Sequence, residues 1–400
     1  MSRFYDKSRD ASAIHRLWIE SGWLEDKKDE LDNFDAFLEC ASIRVSDLDG
    51  EAESVVATLP GDYQHGNTRL PFSIISSVNT GRIGRKQGLA TKTLSESLGD
   101  SYLSGAVAAG LGIFDQGFYD RVGFGTTGYE RWIRFDPSLL LPGLPTERAV
   151  RLDESNCDEI HAHRLSRMRY HGSVNVTPSG HTRLELKESR NGFGLGIRRN
   201  GDLVSHFWFS AKNIESGPYS VYWHAFTDWE SIPAALGLLT NLGDQVHLVH
   251  MREPVYLQMQ DFVLKPLRNQ AMSAGARSEQ RTRAKAYHQM RILDLRKAVE
   301  VVSLSHGEIE FNLQLSDPVE SHLSESSPWR GCGGDYTIRL GKESMCAEGH
   351  ASGLPLMSAD IGTFTRFWAG VLSPRALSVS KRLTAPEDLL RGHGVGQRRR

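Results

Sequence analysis

The sequence predicts a mixed α+β protein of more than one domain, and three observations carry that expectation. Its 400 residues exceed what one ordinary hydrophobic core organises, while 39% hydrophobic and 24% charged residues are globular values. Between Pro71 and Gly125 the pattern reads strand, glycine-rich basic turn, helix, strand, short helix. A similar order of helix, hairpin, strand, helix and strand returns between about residues 154 and 251, and alternating strand patterns followed by helices fill the chain after residue 286.

The elements follow in order. A short strand at Arg3–Tyr5 precedes a helix from about Ala11 to Ser21, with Asp10 as N-cap and Ile14, Leu17 and Trp18 as its apolar stripe. The next segment, LEDKKDELDNFDAFLEC, is strongly acidic and carries Trp23, Phe34 and Phe37. Strands are expected at Ser42–Asp47 and Ser54–Leu59, joined near Asp49-Gly50. After the central motif, ERWIRF reads as the strand that closes the first domain, and DPSLLLPGLP as a linker over 137–150. The second domain, 151–263, begins with a helix near Glu154–Met168. A hairpin about Arg199-Asn200-Gly201, a strand at Tyr219–Ala225, a helix from about Trp229 to Leu242 and the strand QVHLVHM follow. Residues 264–285 read as an exposed basic crossing whose cations, Arg268, Arg277, Arg281, Arg283 and Lys285, suit a solvated loop better than a phosphate contact. In the third domain, 286–400, HQMRILDL, EIEFNLQL, DYTIRL and Ser344–Ala347 indicate an antiparallel sheet. Helices capped by Ser358 and by Ser373-Pro374 come after it.

The one specific chemical signal lies in the first domain. PFSIISSV suits a buried strand, and NTGRIGRKQG ends it with three glycines and three cations. A helix then opens, with Ala90, Leu94 and Leu98 four residues apart. The turn Arg85-Lys86-Gln87-Gly88-Leu89-Ala90 sets a glycine where backbone approaches a ligand and where unpaired helix N–H groups point outward, which suits a pyrophosphate. Arg82, Arg85 and Lys86 add positive charge. After the strand AVAAGLGI comes FDQGFYDRVGFGTTGY, with Tyr119 on a short helix.

Arg85 through Ala90 resembles the GNAT acetyltransferase signature R/Q-x-x-G-x-G/A, which follows a strand that splays from its neighbour to admit acetyl-CoA. Tyr119 through Phe124 is similar to the family's second landmark, Y-x-x-x-G-F. With a second GNAT-like domain that lacks the cradle and a terminal sheet-plus-helices domain, nearly the whole chain resembles the Eis (enhanced intracellular survival) acetyltransferases. The resemblance implies two tandem GNAT-like domains, the first over 1–136, followed by a sterol-carrier-protein-like α+β domain. MRILDLRKAVE, GDYTIRLGKESMCAEG and FTRFWAGVLSPRALSVSKRL carry the likeness of the last.

That family implies acetyl-CoA as co-substrate. Its contacts fall on Val78, Asn79 and Thr80, on Arg85, Lys86, Gln87, Gly88, Leu89, Ala90 and Thr91, and on Phe114 and Asp115. Tyr119 matches the family's general acid, which hydrogen-bonds the leaving thiolate. A phenol near 10 and a thiol near 8.5 favour donation without complete transfer. For the base, the family uses a C-terminal carboxylate. Here the chain ends RGHGVGQRRR, so either the carboxylate of Arg400 arrives with its guanidinium in solvent, or an acidic residue of Glu25–Asp32 or a water chain substitutes. In GNAT folds the acidic segment lies beside the acceptor entrance, so Asp26 and its neighbours would steer a cationic amine, with Trp23 or Phe34 as its wall. The alternative is a solvated helix face whose aromatics pack inward.

The function expected is direct acetyl transfer to a primary amine, such as an aminoglycoside or polyamine. Its rival is a non-catalytic binding protein that senses acetyl-CoA or a lipid. Homo-oligomers, hexamers in several members, are implied by the resemblance alone. A net charge of −2 gives no global attraction to nucleic acid or an anionic membrane, and neither is expected as a partner. Cys40, Cys157, Cys332 and Cys346 are scattered without C-x-x-C spacing, so no metal and no disulfide framework is expected. MSRFYDKSRD lacks the apolar core of a signal peptide, and a cytoplasmic protein is expected.

Overall fold

A computed structural model describes residues 2–113, 115 and 117–391, which form two compact units. Tyr129–Ala286 make up one, and the segments before and after it together make up the other. The chain opens with β1 (Ser2–Phe4), α1 (Lys7–Ser21), α2 (Lys28–Glu39), β2 (Ser42–Leu48), β3 (Glu51–His65) and β4 (Thr68–Thr80). It continues through α3 (Leu89–Leu103), β5 (Ala108–Gly112) and β6 (Gly125–Thr126). Asp6, not Asp10, caps α1, accepting from the Ser8 amide at 2.9 Å. Asp10 is buried and accepts instead from Arg3 at 2.7 Å and from the Asp6 amide at 2.9 Å, so its charge is spent on holding β1 to the helix. Leu94 and Leu98 of α3 are fully buried against Val56, Ile75 and Ala109 of the sheet, as their four-residue spacing requires.

The second unit contains β7 (Glu130–Phe135), β8 (Ala149–Leu152), α4 (Cys157–Ser166), β9 (Val174–Val176), α5 (Ser179–Glu188), β10 (Phe193–Arg199), β11 (Asp202–Ala211) and β12 (Tyr219–Phe226). It ends with α6 (Ser231–Thr240), β13 (Val249–Arg252), α7 (Pro266–Ser273) and β14 (Arg281–Lys285). Its sheet runs β14-β7-β13-β12-β11-β10-β8. The hairpin about Asn200-Gly201 forms, with both residues at positive φ. ERWIRF, expected to close the first domain, is β7. It pairs with β13 and β14 because Ile133 and Phe135 belong to this unit's core. The crossing expected over 264–285 likewise contributes α7 and the edge strand β14.

The chain returns to the first unit with β15 (His288–Ile292), α8 (Leu295–Glu300), β16 (Ile309–Ser316), β17 (Gly334–Leu340), β18 (Met345–Glu348), β19 (Leu356–Asp360), α9 (Ile361–Trp368), α10 (Pro374–Val379), β20 (Leu383–Thr384) and α11 (Glu387–Leu390). The first sheet runs β1-β2-β3-β4-β5-β15-β6, so HQMRI lies between β5 and β6 rather than in the terminal sheet. That sheet, β18-β17-β16-β19-β20, is mixed rather than antiparallel, since β16 and β19 run parallel. Asp360 and not Ser358 caps α9, accepting from the Thr363 amide at 2.7 Å, because Ser358 still belongs to β19. Ser373 caps α10 as expected, with Pro374 in its first turn.

The two larger sheets share a connection. In each, an antiparallel meander (β2-β3-β4 and β10-β11-β12) leads through a helix to a strand parallel to the last (β5 and β13). The helix N-termini differ. Gly88 opens α3 with no side-chain cap, whereas at α6 the Asp228 carboxylate accepts from the Ser231 amide at 2.7 Å, beside Glu230. A carboxylate there occupies and neutralises the positive end that an anion would need. Among the described residues no helix is long and apolar enough to cross a membrane.

Candidate active site

The site begins where β4 leaves β5. The two strands pair in parallel only from Phe72 to Ile74 against Ala108 to Gly110, although β4 continues to Thr80 and β5 stays paired with β15 up to Gly112. The cause lies on the other edge of β4. Its register with β3 shifts between Val55–Asn79 and Ala57–Ser76, so Ser77 and Val78 both oppose Val56, and Ser77 takes φ +56°. Such a bulge bends a strand and increases its twist. The far end of β4 therefore opens a wedge against β5: it stays paired with β3 as far as Thr80, but beyond Ile74 it has no ladder partner on the β5 side among the described residues.

The wedge leads to the glycine turn, where each glycine has its own reason. A Cβ at Gly81 would collide with the Glu53 carboxylate and with Leu17, and one at Gly84 would crowd Leu89 and Thr80. At Gly88 the space is open, and the requirement is φ +78°. Beneath the turn Glu53 is buried, bound to Arg16 at 2.7 Å, with its Oε2 unpartnered. Above it Arg85, Lys86, Gln87 and Gly88 are exposed, and Leu89, Ala90 and Thr91 are half-buried as α3 starts. The first-turn amides of a helix have no intrahelical acceptor, and Gly88 has no side chain to cap them. Exposed amides, a positive helix end and two free-standing cations suit a diphosphate.

Tyr119 starts a 3-10 helix, Tyr119–Val122, and is only 6% exposed. Its ring meets Phe118 edge-on at 5.0 Å and Phe124 at 6.0 Å. The apolar cluster that contains it also holds Ile75 of β4, Leu111 of β5 and Leu94 of α3, with Val78 packed against it. The phenol thus shares one cluster with both arms of the wedge. Burial, with smaller contributions from Asp115 and Tyr287, pushes its pKa up to about 12. A phenol so shifted stays protonated and can donate a hydrogen bond.

Sequence reasoning missed what fixes this helix. Gln289, fully buried on β15, donates to Asp120 Oδ1 at 2.7 Å. Arg291, also fully buried, donates to the Val122 carbonyl and pairs with buried Asp317 at 2.6 Å. Gly123 closes the helix at φ +81°, where a Cβ would run into Ile361 and Arg291. The signal was a glutamine and an arginine alternating with apolar residues in HQMRI, a strand assigned to another domain.

The remaining site residues distribute unevenly. Asn79 spends its side-chain amide on the Leu17 carbonyl at 2.8 Å and Ser21 Oγ at 3.0 Å, and its own carbonyl accepts from Ser54 Oγ at 3.2 Å on the β3 side. Thr80 is tied to Ser54 at 3.0 Å. Asp115 is exposed, while Phe114 and Arg400 lie outside the described residues. Phe34 is 2% exposed and packs on Trp18 at 4.5 Å between α1 and α2, so it is a core residue and not a wall open to a ligand. Trp23 is 45% exposed, its edge to Trp18 at 5.8 Å, and Asp26 is exposed in the loop before α2. Much of the acidic charge around them is matched locally, Glu25 by Lys27 and Asp32 by Lys28.

No protein-family model matches the chain, and no curated protein matches it. Solved structures match over nearly its whole length, and the fold is that of the GCN5-related N-acetyltransferases, the GNAT fold. A conserved protein of unknown function from Enterococcus faecalis V583, described as a probable N-acyltransferase, superposes with a TM-score of 0.79 at 16% identity, covering 98% of this chain and 95% of that one. Eis1 from Mycobacterium abscessus gives 0.74 at 14% identity, over 98% and 95%. A GCN5-related N-acetyltransferase from Anabaena variabilis gives 0.72 at 14%, over the same shares. The expected likeness to Eis therefore holds as a likeness of fold.

Proposed function

We propose that this chain is an acetyl-CoA-dependent N-acetyltransferase acting on a primary amine, with aminoglycosides and polyamines as first acceptors to try. The observation that supports it is the end of β4, parted from β5, running into the uncapped, glycine-opened α3, with a protonated Tyr119 in the adjoining cluster. Backbone groups of Val78, Asn79 and Thr80 would pair with the pantetheine amides, and the α3 amides with Arg85 and Lys86 would hold the diphosphate. Acetyl-CoA would supply an activated acyl group as a thioester. The chain's part is to align the amine with it, exclude water and donate a hydrogen bond from the Tyr119 hydroxyl toward the departing sulfur. Trp23 and Asp26, both exposed, remain the acceptor residues of this reading. The proton lost by the amine goes to water, to an acidic side chain or to the chain's own C-terminal carboxylate. The terminal sheet with its helices is read as a sterol-carrier-protein-like domain, and the assembly as a homo-oligomer.

Thiol release from acetyl-CoA with a panel of aminoglycosides and polyamines tests the activity. Acceptor-dependent release is expected from the native chain. Calorimetric binding of acetyl-CoA without any release would instead make the chain a sensor, and no binding at all would end both readings.

A further inference from the structure

One face of the second unit's sheet carries a concentration of positive charge that acetyl transfer does not use. The strand register sets Ser220 opposite His250, His250 opposite Arg134 and Arg134 opposite Arg281, a row across four strands. One step along, Trp132 faces Arg283. Residues two apart on a strand share a face, so all six stand on the same side. The intervening Ile133, Val249 and Met251 turn the other way into the core. The six line a cavity of about 160 Å³.

The charges are poorly compensated. Arg281 reaches Glu279 only at 3.6 Å, and its Nε is buried without a partner. Among the described residues neither Arg134 nor Arg283 enters an ion pair. Like charges directly opposite one another on a sheet are destabilising. Burial and the neighbouring Arg281 and Arg283 hold the Arg134 guanidinium below its ordinary value. Burial and the same arginines hold His250 down, so it presents a neutral ring. Trp132 packs against that ring at 4.9 Å, and the Lys285 ammonium lies over the indole at 5.2 Å. Three guanidiniums, a hydroxyl and an imidazole thus converge on one small concavity floored by an aromatic ring.

We propose that this pocket binds a compact phosphoryl anion, with Arg134, Arg281 and Arg283 as its charged ligands and Ser220 and His250 as its neutral ones. Guanidinium forks match phosphate oxygens in pairs, and the bound anion would relieve the repulsion among the arginines. The anion is either free inorganic phosphate or diphosphate, or the diphosphate of a nucleotide.

Calorimetry on the full chain with inorganic pyrophosphate and with ADP, compared between the native protein, Gly88→Val, and Gly88→Val combined with Arg134→Gln or with Arg283→Gln, decides the matter. Binding is expected to persist in Gly88→Val, in which the α3 turn no longer competes for the diphosphate, and to weaken at least 10-fold when either arginine variant is added to it. In Gly88→Val, pyrophosphate alone binding points to an inorganic ion, and tighter ADP binding to a nucleotide; each supports the pocket. Thermal melts without anion should show Arg134→Gln at or above the native Tm, and phosphate should raise the native Tm but not that of the variant. The proposal is overturned if neither anion binds, if Gly88→Val abolishes all binding, if adding either arginine variant to Gly88→Val leaves binding unchanged, or if duplex DNA binds in preference to both anions.

Discussion

Gly88 is a glycine for conformation and Gly81 is one for room, and the difference separates binding from folding. A Cβ at Gly88 meets nothing within 4 Å, so Gly88→Ala costs only the left-handed backbone, about 1 kcal/mol. In the proposed complex that methyl would compete with the diphosphate for the open space at the start of α3, so the acetyl-CoA Kd should rise roughly 10-fold or more, a loss of about 1.4 kcal/mol. Gly81→Ala drives its methyl into Glu53 and Leu17 and should lower Tm before any effect on binding can be read. Calorimetry and melting curves on the two variants show whether the glycines divide in this way. Tyr119→Phe removes a hydroxyl while keeping the ring contacts with Phe118 and Phe124. Thiol release should fall roughly 100-fold with little change in Tm. With the phenol raised to about 12, acetyl transfer by the native chain should lose no rate to ionisation of Tyr119 as pH rises to about 10.

At the scale of elements, β15 does for the first unit what its sequence did not announce. A half-buried strand alternates, but Gln289, Met290, Arg291 and Ile292 are all buried, since α9 packs on β15 and the Tyr119 helix hangs from it. Gln289 and Arg291 therefore mimic an exposed face while being fully enclosed. Arg291→Met would leave the Asp317 carboxylate buried and unpaired, a loss of about 3–5 kcal/mol that chemical denaturation would measure. Gln289→Leu is the gentler probe. It frees Asp120, so kcat should drop roughly 10-fold while the KM for acetyl-CoA holds, because the cradle at Gly88 is untouched. An equal loss in kcat/KM for every substrate together with a falling Tm would instead make Gln289 purely structural. The cradle was legible because glycine, charge and helix onset all sit within ten residues. The wedge was not, because it depends on a bulge at Ser77 and on where β4 stops pairing with β5. Phe34 was misassigned for a related reason: an aromatic in an acidic stretch reads the same whether it lines an entrance or, as here, packs between two helices.

For the molecule as a whole, the distribution of buried histidines predicts that the second unit gives way first in acid. His206 is fully buried, and its Nε2 accepts from the Trp223 indole at 3.0 Å. Its proton therefore sits on Nδ1 and is donated to His163 Nδ1 at 2.6 Å, which leaves the His163 proton on the buried Nε2. Neither ring can take a second proton without breaking this chain. Burial holds His163 down to about 4 and His206 well below its ordinary value, and His161 and His181 of the same unit are also lowered, again chiefly by burial. The unfolded chain binds protons at these rings from about pH 6.5 downward while the folded unit does not. Stability is therefore full above that value and declines as pH falls, the share of His163 until its folded ring titrates near pH 4. At pH 5 the loss from His163 alone is roughly 2 kcal/mol, from a gap of about 1.5 units at 1.36 kcal/mol each. Calorimetric scans between pH 7 and 4.5 should show one transition, that of the second unit, moving down in temperature ahead of the other. His163→Gln offers a carbonyl to the His206 Nδ1–H and binds no proton. It should reduce the proton uptake on unfolding by about one at pH 5, flattening the pH dependence of that transition. A transition that moves as steeply in the variant as in the native chain would assign the acid sensitivity to other groups.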